Sequence, residues 1–356
     1  IAEEKRKIGG NMGIIGRHSF ELCSRPRIIS SASYVGDKEG KGPLRECFDN
    51  ICRDDTLGLD SWEQAESRMF ESAVRVALAK IKRQSDDLSC LLGGDLLNQI
   101  ISSGFAAREI RAPFIGLYGA CSTISEGLML GGMLVDGGFA ELAACAASSH
   151  FSAAERQFRY PLEMGVQAVP SSQRTVTGAG SIIIQAAGEF RPGAGNVFEH
   201  VALTGGTIGS VEDFGITDAN NMGAAMAPAA FKTIKTHLSD YSRRVEDYDR
   251  IITGDLGIFG SDMLYELLRG EGIEIADRHE DCGKLMFSPE QNVNCGASGC
   301  GCAATVMSSW FLPKIESGEI RRVLFLATGA LMSPVSSLQG ESIPSIAHAV
   351  VIEHID

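Results

Sequence analysis

The sequence predicts an α/β protein built from two pseudo-symmetric halves. Apolar segments of strand length alternate with longer helical patterns, as in parallel βαβ units. Four landmarks of the first half recur in the same order in the second half, which indicates an internal duplication. One short apolar run, residues 114–117, also leads through Gly119-Ala120-Cys121-Ser122-Thr123 into a stretch of small and apolar residues that continues to Val135.

The first half is expected to span residues 24–198, after a tail over residues 1–23. Ser61 begins a helix with a capping box, and apolar residues then recur every three or four positions up to about Lys82. The other predicted elements are strands over residues 27–35, 88–92, 114–117 and 141–147 and helices over residues 102–110 and 126–135. The strand over residues 114–117 has the length of a buried strand. The helix that follows it is apolar nearly all round, so it should also be buried.

The second half, residues 199–356, repeats this plan. Gly254-Asp255-Leu256 matches Gly94-Asp95-Leu96, and Gly296-Ala297-Ser298 matches Gly119-Ala120-Cys121. The predicted elements are helices over residues 222–238, 261–269 and 303–311 and strands over residues 251–253 and 323–327. Because ligands bind at the carboxyl ends of parallel strands, we expect a pocket where the two matching turns meet.

The composition excludes several classes of protein. The net charge of −13 argues against binding to nucleic acid and against direct adsorption to an anionic membrane. No apolar run predicts a transmembrane helix, and the first residues lack the apolar core of a signal peptide, so we expect a soluble intracellular protein. The ten cysteines lie mostly in apolar segments, which favours reduced thiols, and Cys300-x-Cys302 lacks the second pair of a zinc site.

Cys121 is the first candidate for a functional residue. Its predicted position is the first turn of a buried helix, where unpaired N–H groups and the positive helix end lower the pKa of a thiol. This is the geometry of a nucleophilic cysteine. The alternative is that Cys121 is simply a small buried residue.

An α/β duplication with a cysteine at the start of a buried helix resembles the thiolase superfamily, which includes the ketoacyl synthases. Longer runs narrow the resemblance, namely residues 93–99, 119–123, 148–150, 154–161, 175–178, 214–218, 222–230, 253–256, 327–334 and 343–348. From about residue 26 to the end, the chain resembles the stage V sporulation protein AD family of endospore-forming bacteria.

The resemblance implies a layered αβαβα fold that binds a ligand. Members of the family bind dipicolinic acid, a pyridine ring with two carboxylates, and are needed for its uptake into the developing spore. They act with small membrane proteins of the same sporulation operon, which implies a location peripheral to the spore inner membrane. No cofactor is implied. Thiolase-like relatives form homodimers, here expected through the strand over residues 141–147.

The resemblance also bears on catalysis. The histidine of a ketoacyl synthase falls on Asp255, and its asparagine falls near Ala297-Ser298, so the base and the oxyanion donors are absent from those positions. A carboxylate beside the thiol also disfavours a thiolate. We therefore expect no enzymatic activity. The alternatives are an active acyltransferase or 3-oxoacyl synthase with Cys121 as its nucleophile, or an interaction scaffold with a vestigial pocket.

The two turns are expected to bring Cys121, Asp255, Ser298 and Cys300 towards one point. Asp255 would repel a bare dicarboxylate unless it is protonated or bonds through water, or unless a calcium ion carried by the ligand bridges the two. Calcium prefers oxygen ligands, and a chelate fills only part of its coordination shell.

Four further residues are candidates for the ligand site. His150 and His348 could line it, or they could be ordinary hydrogen-bonded histidines. Arg156 and Arg159 share a helical face, and planar guanidinium groups bind carboxylates with two hydrogen bonds. The alternative for both arginines is a salt bridge with a neighbouring glutamate.

Overall fold

The computed structural model describes residues 13–158 and 169–356. The strands of the first half are β1 (Ile14–Ile15), β2 (Ser19–Glu21), β3 (Arg27–Val35), β4 (Asn50–Ile51), β5 (Cys90–Gly94), β6 (Phe114–Gly116), β7 (Leu142–Ser149), β8 (Arg174–Thr175) and β9 (Gly178–Gln185). Those of the second half are β10 (Val201–Thr207), β11 (Arg250–Thr253), β12 (His279–Asp281), β13 (Ala297–Ser298), β14 (Arg322–Ala330) and β15 (Ser345–His354).

The α-helices of the described residues lie between these strands. They are α1 (Trp62–Lys80), α2 (Ile101–Ile110), α3 (Thr123–Asp136), α4 (Phe151–Phe158), α5 (Met222–Asp240), α6 (Gly257–Arg269), α7 (Cys282–Met286), α8 (Cys300–Val306), α9 (Leu312–Glu316) and α10 (Pro334–Leu338). The predicted cap of α1 is present, since Gln64 N donates a hydrogen bond to Ser61 Oγ at 3.3 Å. A π-helical turn, Met307–Phe311, joins α8 to α9.

The sheet topology confirms the two pseudo-symmetric halves. The strand order is β12-β11-β14-β15-β10-β3-β9-β7-β5-β6. From the centre outwards, β3-β9-β7-β5-β6 in one half corresponds to β10-β15-β14-β11-β12 in the other. In both halves the first two pairings are antiparallel and the last two are parallel. The halves meet where β10 and β3 pair through Ala202 and Arg27.

Helices cover both faces of each half, which gives the predicted αβαβα layering. Side chains alternate between the two faces of a strand, so Ile182 and Ile184 of β9 face the central core while Ile183 faces the outer one. Helices α1 and α2 contribute to the outer core of the first half, and α5 and α6 contribute to that of the second half. Helices α3 and α8 lie in the central core between the halves.

The position of β6 differs from the prediction. Its apolar sequence predicted a buried strand, but β6 is the edge of the sheet, and Ile115 is 41% exposed. By contrast, β7 is an interior strand, paired on one side with β5 and on the other with β9. The expectation that a homodimer forms through residues 141–147 is therefore wrong, because neither edge of this strand is free.

Part of the predicted tail belongs to the sheet. Strand β2 pairs with Gly205–Thr207 of β10, and β1 pairs with β2. The tail prediction is thus wrong for these residues, which are too few for a periodic pattern to reveal a strand. None of the helices in the described parts of the chain is long and apolar enough to cross a membrane.

Candidate functional site

Cys121 lies at the N-terminus of α3, in the turn that follows β6. Ala120 has a φ of +51°, a left-handed conformation that is uncommon for a residue with a Cβ. Ser122 Oγ donates a hydrogen bond to the Gly119 carbonyl at 2.7 Å. From the other half, Cys300 Sγ donates to the Ala120 carbonyl at 2.9 Å. The predicted strand-to-helix turn is present, and Cys300 helps to hold it.

Strand β14 of the second half packs directly on this turn. A Cβ added to Gly329 would lie 2.2 Å from the carbonyl oxygen of Gly119, closer than real Cβ contacts occur. A glycine at position 329 therefore permits the two halves to approach each other at Cys121.

Asp255 follows β11 and is fully buried. Its Oδ2 accepts hydrogen bonds from Ser298 Oγ at 3.0 Å and from Gly299 N at 2.9 Å. Its Oδ1 accepts from Thr328 Oγ1 at 3.3 Å, and the thiol of Cys121 also bonds to this carboxyl group. The structure thus brings Cys121, Asp255 and Ser298 together, as the sequence predicted.

Burial dominates the titration of this pair. Desolvation raises the pKa of Asp255 from 3.8 to about 7, against the lowering effect of its hydrogen bonds. Desolvation, followed by the charge of Asp255, raises the pKa of Cys121 well above its usual range. The expectation that the helix N-terminus lowers the pKa of Cys121 is therefore wrong, because burial and the neighbouring carboxyl group outweigh the helix end.

A cavity of about 390 Å³ opens above Cys121 and Ser298. Its walls are mostly apolar, and its polar groups are hydroxyls, amides and one carboxylate. The described lining residues are Leu96, Tyr118, Ala120, Cys121, Ala154, Glu155, Phe158, Gln173, Thr175, Ala219, Asn220, Met222, Met226, Ser298, Ala330, Leu331, Met332, Ser333 and Ser336.

Gln173 is a lining residue that no pattern in the sequence marked as functional. Its Nε2 donates hydrogen bonds to the backbone carbonyls of Asp255 at 2.7 Å and of Ala297 at 2.8 Å. The side chain thereby fixes the backbone that carries the buried carboxyl group. The only sequence signal was its place just before the run at residues 175–178.

The two predicted histidines lie outside the described lining of the cavity. His150 is buried, and its Nε2 bonds to the carbonyl of Asp55 at 2.8 Å. His348 lies on β15, where its Nδ1 accepts from Gly209 N at 3.2 Å. Burial lowers the pKa of both histidines. Both have the ordinary role of a hydrogen-bonded histidine.

Arg156 also lies away from the described lining. Its guanidinium group forms a salt bridge with Glu63 and lies 5.4 Å from the centre of the Trp62 ring. Arg159 lies outside the described residues. The structure thus places Arg156 in a salt bridge, but with a glutamate from α1 and not with a neighbour in sequence.

The positions of these residues determine which charged side chains line the cavity. The described lining contains no lysine, arginine or histidine, and its one acidic residue is Glu155. The described residues also contain no group of three or more histidine, cysteine, aspartate or glutamate side chains that could hold a metal ion. The described lining therefore offers oxygen ligands to a cation.

A family profile described as "Stage V sporulation protein AD" matches residues 16–353. The Stage V sporulation protein AD of Bacillus subtilis (strain 168) is 43% identical over 343 residues, which cover 96% of this chain and 98% of that protein.

Solved structures of thiolase-like enzymes share the fold at low sequence identity. A variant of OleA from Xanthomonas campestris has a TM-score of 0.58 at 12% identity and covers 97% of this chain and 100% of its own. Human mitochondrial 3-ketoacyl-CoA thiolase in complex with CoA has a TM-score of 0.58 at 10% identity, covering 94% and 99%. For 3-oxoacyl-(acyl-carrier-protein) synthase III from Aquifex aeolicus the TM-score is 0.55 at 11% identity, covering 92% and 100%. The fold is therefore thiolase-like.

Proposed function

The chain belongs to the stage V sporulation protein AD family, and from this premise we propose that it binds dipicolinic acid without catalysing a reaction. In this proposal the protein serves the uptake of dipicolinic acid into the developing spore. It acts at the spore inner membrane, as a peripheral protein, together with small membrane proteins of the same operon.

The size and walls of the cavity support a small planar ligand. A volume of about 390 Å³ is near the lower end of ligand pockets. Tyr118 and Phe158 can contact the faces of an aromatic ring, and the sulfur of Met226 can contact its edge. Thr175 and Asn220 add a hydroxyl and a side-chain amide that can donate hydrogen bonds to a carboxylate.

The pairing of Cys121 with Asp255 is the observation that argues most directly against catalysis. A nucleophilic thiol needs a lowered pKa or a base that accepts its proton. Here burial and the carboxyl group raise the pKa of Cys121, and no histidine is among the described lining residues. An acyltransferase that uses Cys121 is therefore the less supported function.

We propose that the ligand is bound as its calcium chelate. A dianion would meet Asp255 below the floor and Glu155 in the wall, with no cationic side chain in the described lining. Chelation by calcium neutralises both carboxylates and leaves coordination positions for further oxygen ligands. In this proposal Asp255, which lies below the floor, supplies one of them.

Calorimetric titration with dipicolinate, with calcium and with a chelator of calcium, tests the proposal. We expect the unmodified protein to bind dipicolinate but not isophthalate, which has the same two carboxylates but lacks the ring nitrogen. Asp255→Ala should weaken binding by roughly tenfold or more with calcium present, and by less without it. Cys121→Ala removes only a small thiol from the lining of the cavity, so it should change the affinity for dipicolinate only modestly.

Two results would contradict the proposal. Absence of heat with dipicolinate under both conditions would refute the binding function. Equal losses for Asp255→Ala with and without calcium would refute the calcium bridge and leave the binding function standing.

A further inference from the structure

Near Asp255 lies a second buried carboxyl group, that of Asp281 at the end of β12. Its Oδ2 accepts hydrogen bonds from Thr253 Oγ1 at 2.7 Å and from Leu256 N at 2.8 Å. Its Oδ1 accepts from Gly257 N at 3.0 Å, and from a backbone amide of α7 at 3.1 Å. The bond to α7 is an ordinary helix cap, whereas the other three donors lie in sequence on both sides of Asp255.

The matching turn of the first half is held in a different way. There Asp95, the counterpart of Asp255, accepts a hydrogen bond from the amide of Leu97 at 2.8 Å, two residues further along its own turn. The counterpart of Leu97 is Gly257, and its amide donates to Asp281. Asp281 therefore performs for Asp255 the capping role that Asp95 performs for itself. The carboxyl group of Asp255 is left to face the thiol of the other half.

The backbone around Asp255 is fixed from two sides. Gln173 Nε2 donates to the carbonyl of Asp255 at 2.7 Å, and Asp281 accepts from the next two amides. Gly257 has a φ of +65°, and a Cβ there would lie 2.4 Å from the carbonyl oxygen of Cys295. Hydrogen bonds from both sides thus hold a left-handed turn in one orientation, and with it the side chain of Asp255.

A chain of hydrogen bonds stabilises the carboxylate of Asp281. Thr253 donates its only hydroxyl hydrogen to Asp281, so its oxygen accepts from His279 Nε2 at 2.8 Å. Burial lowers the pKa of His279 to about 3, so the ring is neutral and its Nδ1 accepts from the Tyr265 hydroxyl at 2.8 Å. Every hydrogen in this chain points towards Asp281. The hydrogen bonds thereby oppose the effect of burial, which raises the pKa of Asp281.

We infer that Asp281 is a positioning residue, which holds the turn at residues 255–257 so that the carboxyl group of Asp255 faces Cys121. Asp281 lies outside the described lining of the cavity, so it acts through Asp255. When Asp281 is lost, the carboxyl group of Asp255 should turn to cap its own backbone, as Asp95 does, and leave the thiol. The inference rests on the proposed function only where it concerns dipicolinate, because the contact between Asp255 and Cys121 forms within the protein itself.

Alkylation of Cys121 by iodoacetamide reports the position of the Asp255 carboxyl group without any ligand. Asp281→Asn keeps the shape of the side chain but replaces one acceptor oxygen by a donor. We expect Cys121 to react roughly threefold faster or more in this variant, because the displaced carboxyl group no longer opposes its thiolate. Cys23, which is exposed, gives the reference rate in each variant. The matched control is Asp240→Asn, since that carboxyl group also accepts from a backbone amide but lies outside the described lining.

A double variant distinguishes positioning from a general loosening of the fold. If Asp281 acts through Asp255, Asp281→Asn combined with Asp255→Asn should react no faster than Asp255→Asn alone. Two results would overturn the inference: an unchanged rate for Asp281→Asn, and increases that add up in the double variant. If Asp281→Asn does not fold, Thr253→Val decides, because it removes one hydrogen bond to Asp281 at nearly constant volume. It should also speed the reaction, and an unchanged rate would again overturn the inference.

Calorimetry with dipicolinate and calcium on the same variants separates this inference from the proposed function. We expect Asp281→Asn to bind roughly tenfold more weakly, as Asp255→Ala should. Normal affinity of Asp281→Asn beside weak binding by Asp255→Ala would overturn the positioning role alone. Absence of binding by the unmodified protein would refute the proposed function, and the alkylation rates would still decide the role of Asp281.

Discussion

Cys121 and Asp255 illustrate how the group beside a thiol determines the chemistry of that thiol. The thiol lies at a helix N-terminus, as a nucleophile would, but its partner is a buried carboxyl group that accepts its hydrogen bond. The carboxyl group stabilises the neutral thiol and opposes the thiolate. The chemistry of these two residues therefore favours a ligand held by hydrogen bonds over a ligand bound covalently to the thiol.

Alkylation of the thiols tests this view of Cys121. At neutral pH we expect Cys121 to react with iodoacetamide much more slowly than the exposed Cys23, because only the thiolate reacts. Asp255→Asn removes the negative charge, so it should speed the labelling of Cys121 and leave Cys23 unchanged. Mass spectrometry of the labelled peptides measures both rates. Labelling of Cys121 as fast as Cys23 in the unmodified protein would contradict the prediction.

Asp255 should also make stability depend on pH. Because burial raises its pKa from 3.8 to about 7, the native protein keeps a proton between about pH 4 and pH 7 that the unfolded chain releases. This group therefore lowers the free energy of unfolding as the pH rises through that window. The stability of Asp255→Asn relative to the unmodified protein should accordingly increase by roughly 1–4 kcal/mol from about pH 4 to about pH 8. Urea denaturation at several pH values measures it, and a pH-independent difference would contradict it.

Among the elements, β14 has the closest contact with the Cys121 turn. Gly329→Ala would force its Cβ against the Gly119 carbonyl, so we expect a loss of about 1–3 kcal/mol in stability and weaker binding of dipicolinate. The matched control is Gly104→Ala in α2, where a Cβ meets nothing within 4 Å and alanine favours the helix. Thermal denaturation and calorimetry compare the two, and equal behaviour of both variants would contradict the prediction.

Elements that are defined by local interactions could be predicted from the sequence, whereas features that depend on distant residues could not. Helix α1 and the repeated Gly-Asp-Leu landmarks depend on local patterns, and the structure confirms both. The edge position of β6 could not be predicted, because a short apolar run looks the same at an edge as in the centre of a sheet. The partner of Arg156 is Glu63, 93 residues away, so no local pattern could reveal it.

The same limit applies to the cavity. Cys121 and Asp255 were predictable because the duplication superposes two turns, and superposed turns meet at one pocket. Gln173 was not predictable, since its role depends on two carbonyls that folding brings from 82 and 124 residues away.

For the whole molecule, the exposed edge at β6 offers a place where a second copy can pair. We expect a homodimer that extends the sheet through β6, where Ile115, Tyr118 and Phe105 of α2 are exposed by 41%, 54% and 43%. Ile115→Lys should give a monomer in light scattering at micromolar concentration. Ile258, in the other half, is 48% exposed, and Ile258→Lys should leave the molecular mass in solution that of the unmodified protein. A monomeric unmodified protein would contradict the prediction.

The hydrogen bonds to Asp255 have a consequence for the motion of the cavity floor. Its carboxyl group lies in the second half and accepts hydrogen bonds from Cys121 of the first half and from the amide of Gly299 in its own half. Because this amide is buried and bonded to the shared carboxyl group, its hydrogen can exchange for deuterium only when that contact opens. The exchange rate of this one amide hydrogen therefore reports how often the cavity floor opens around Asp255, and a ligand bound there should slow it.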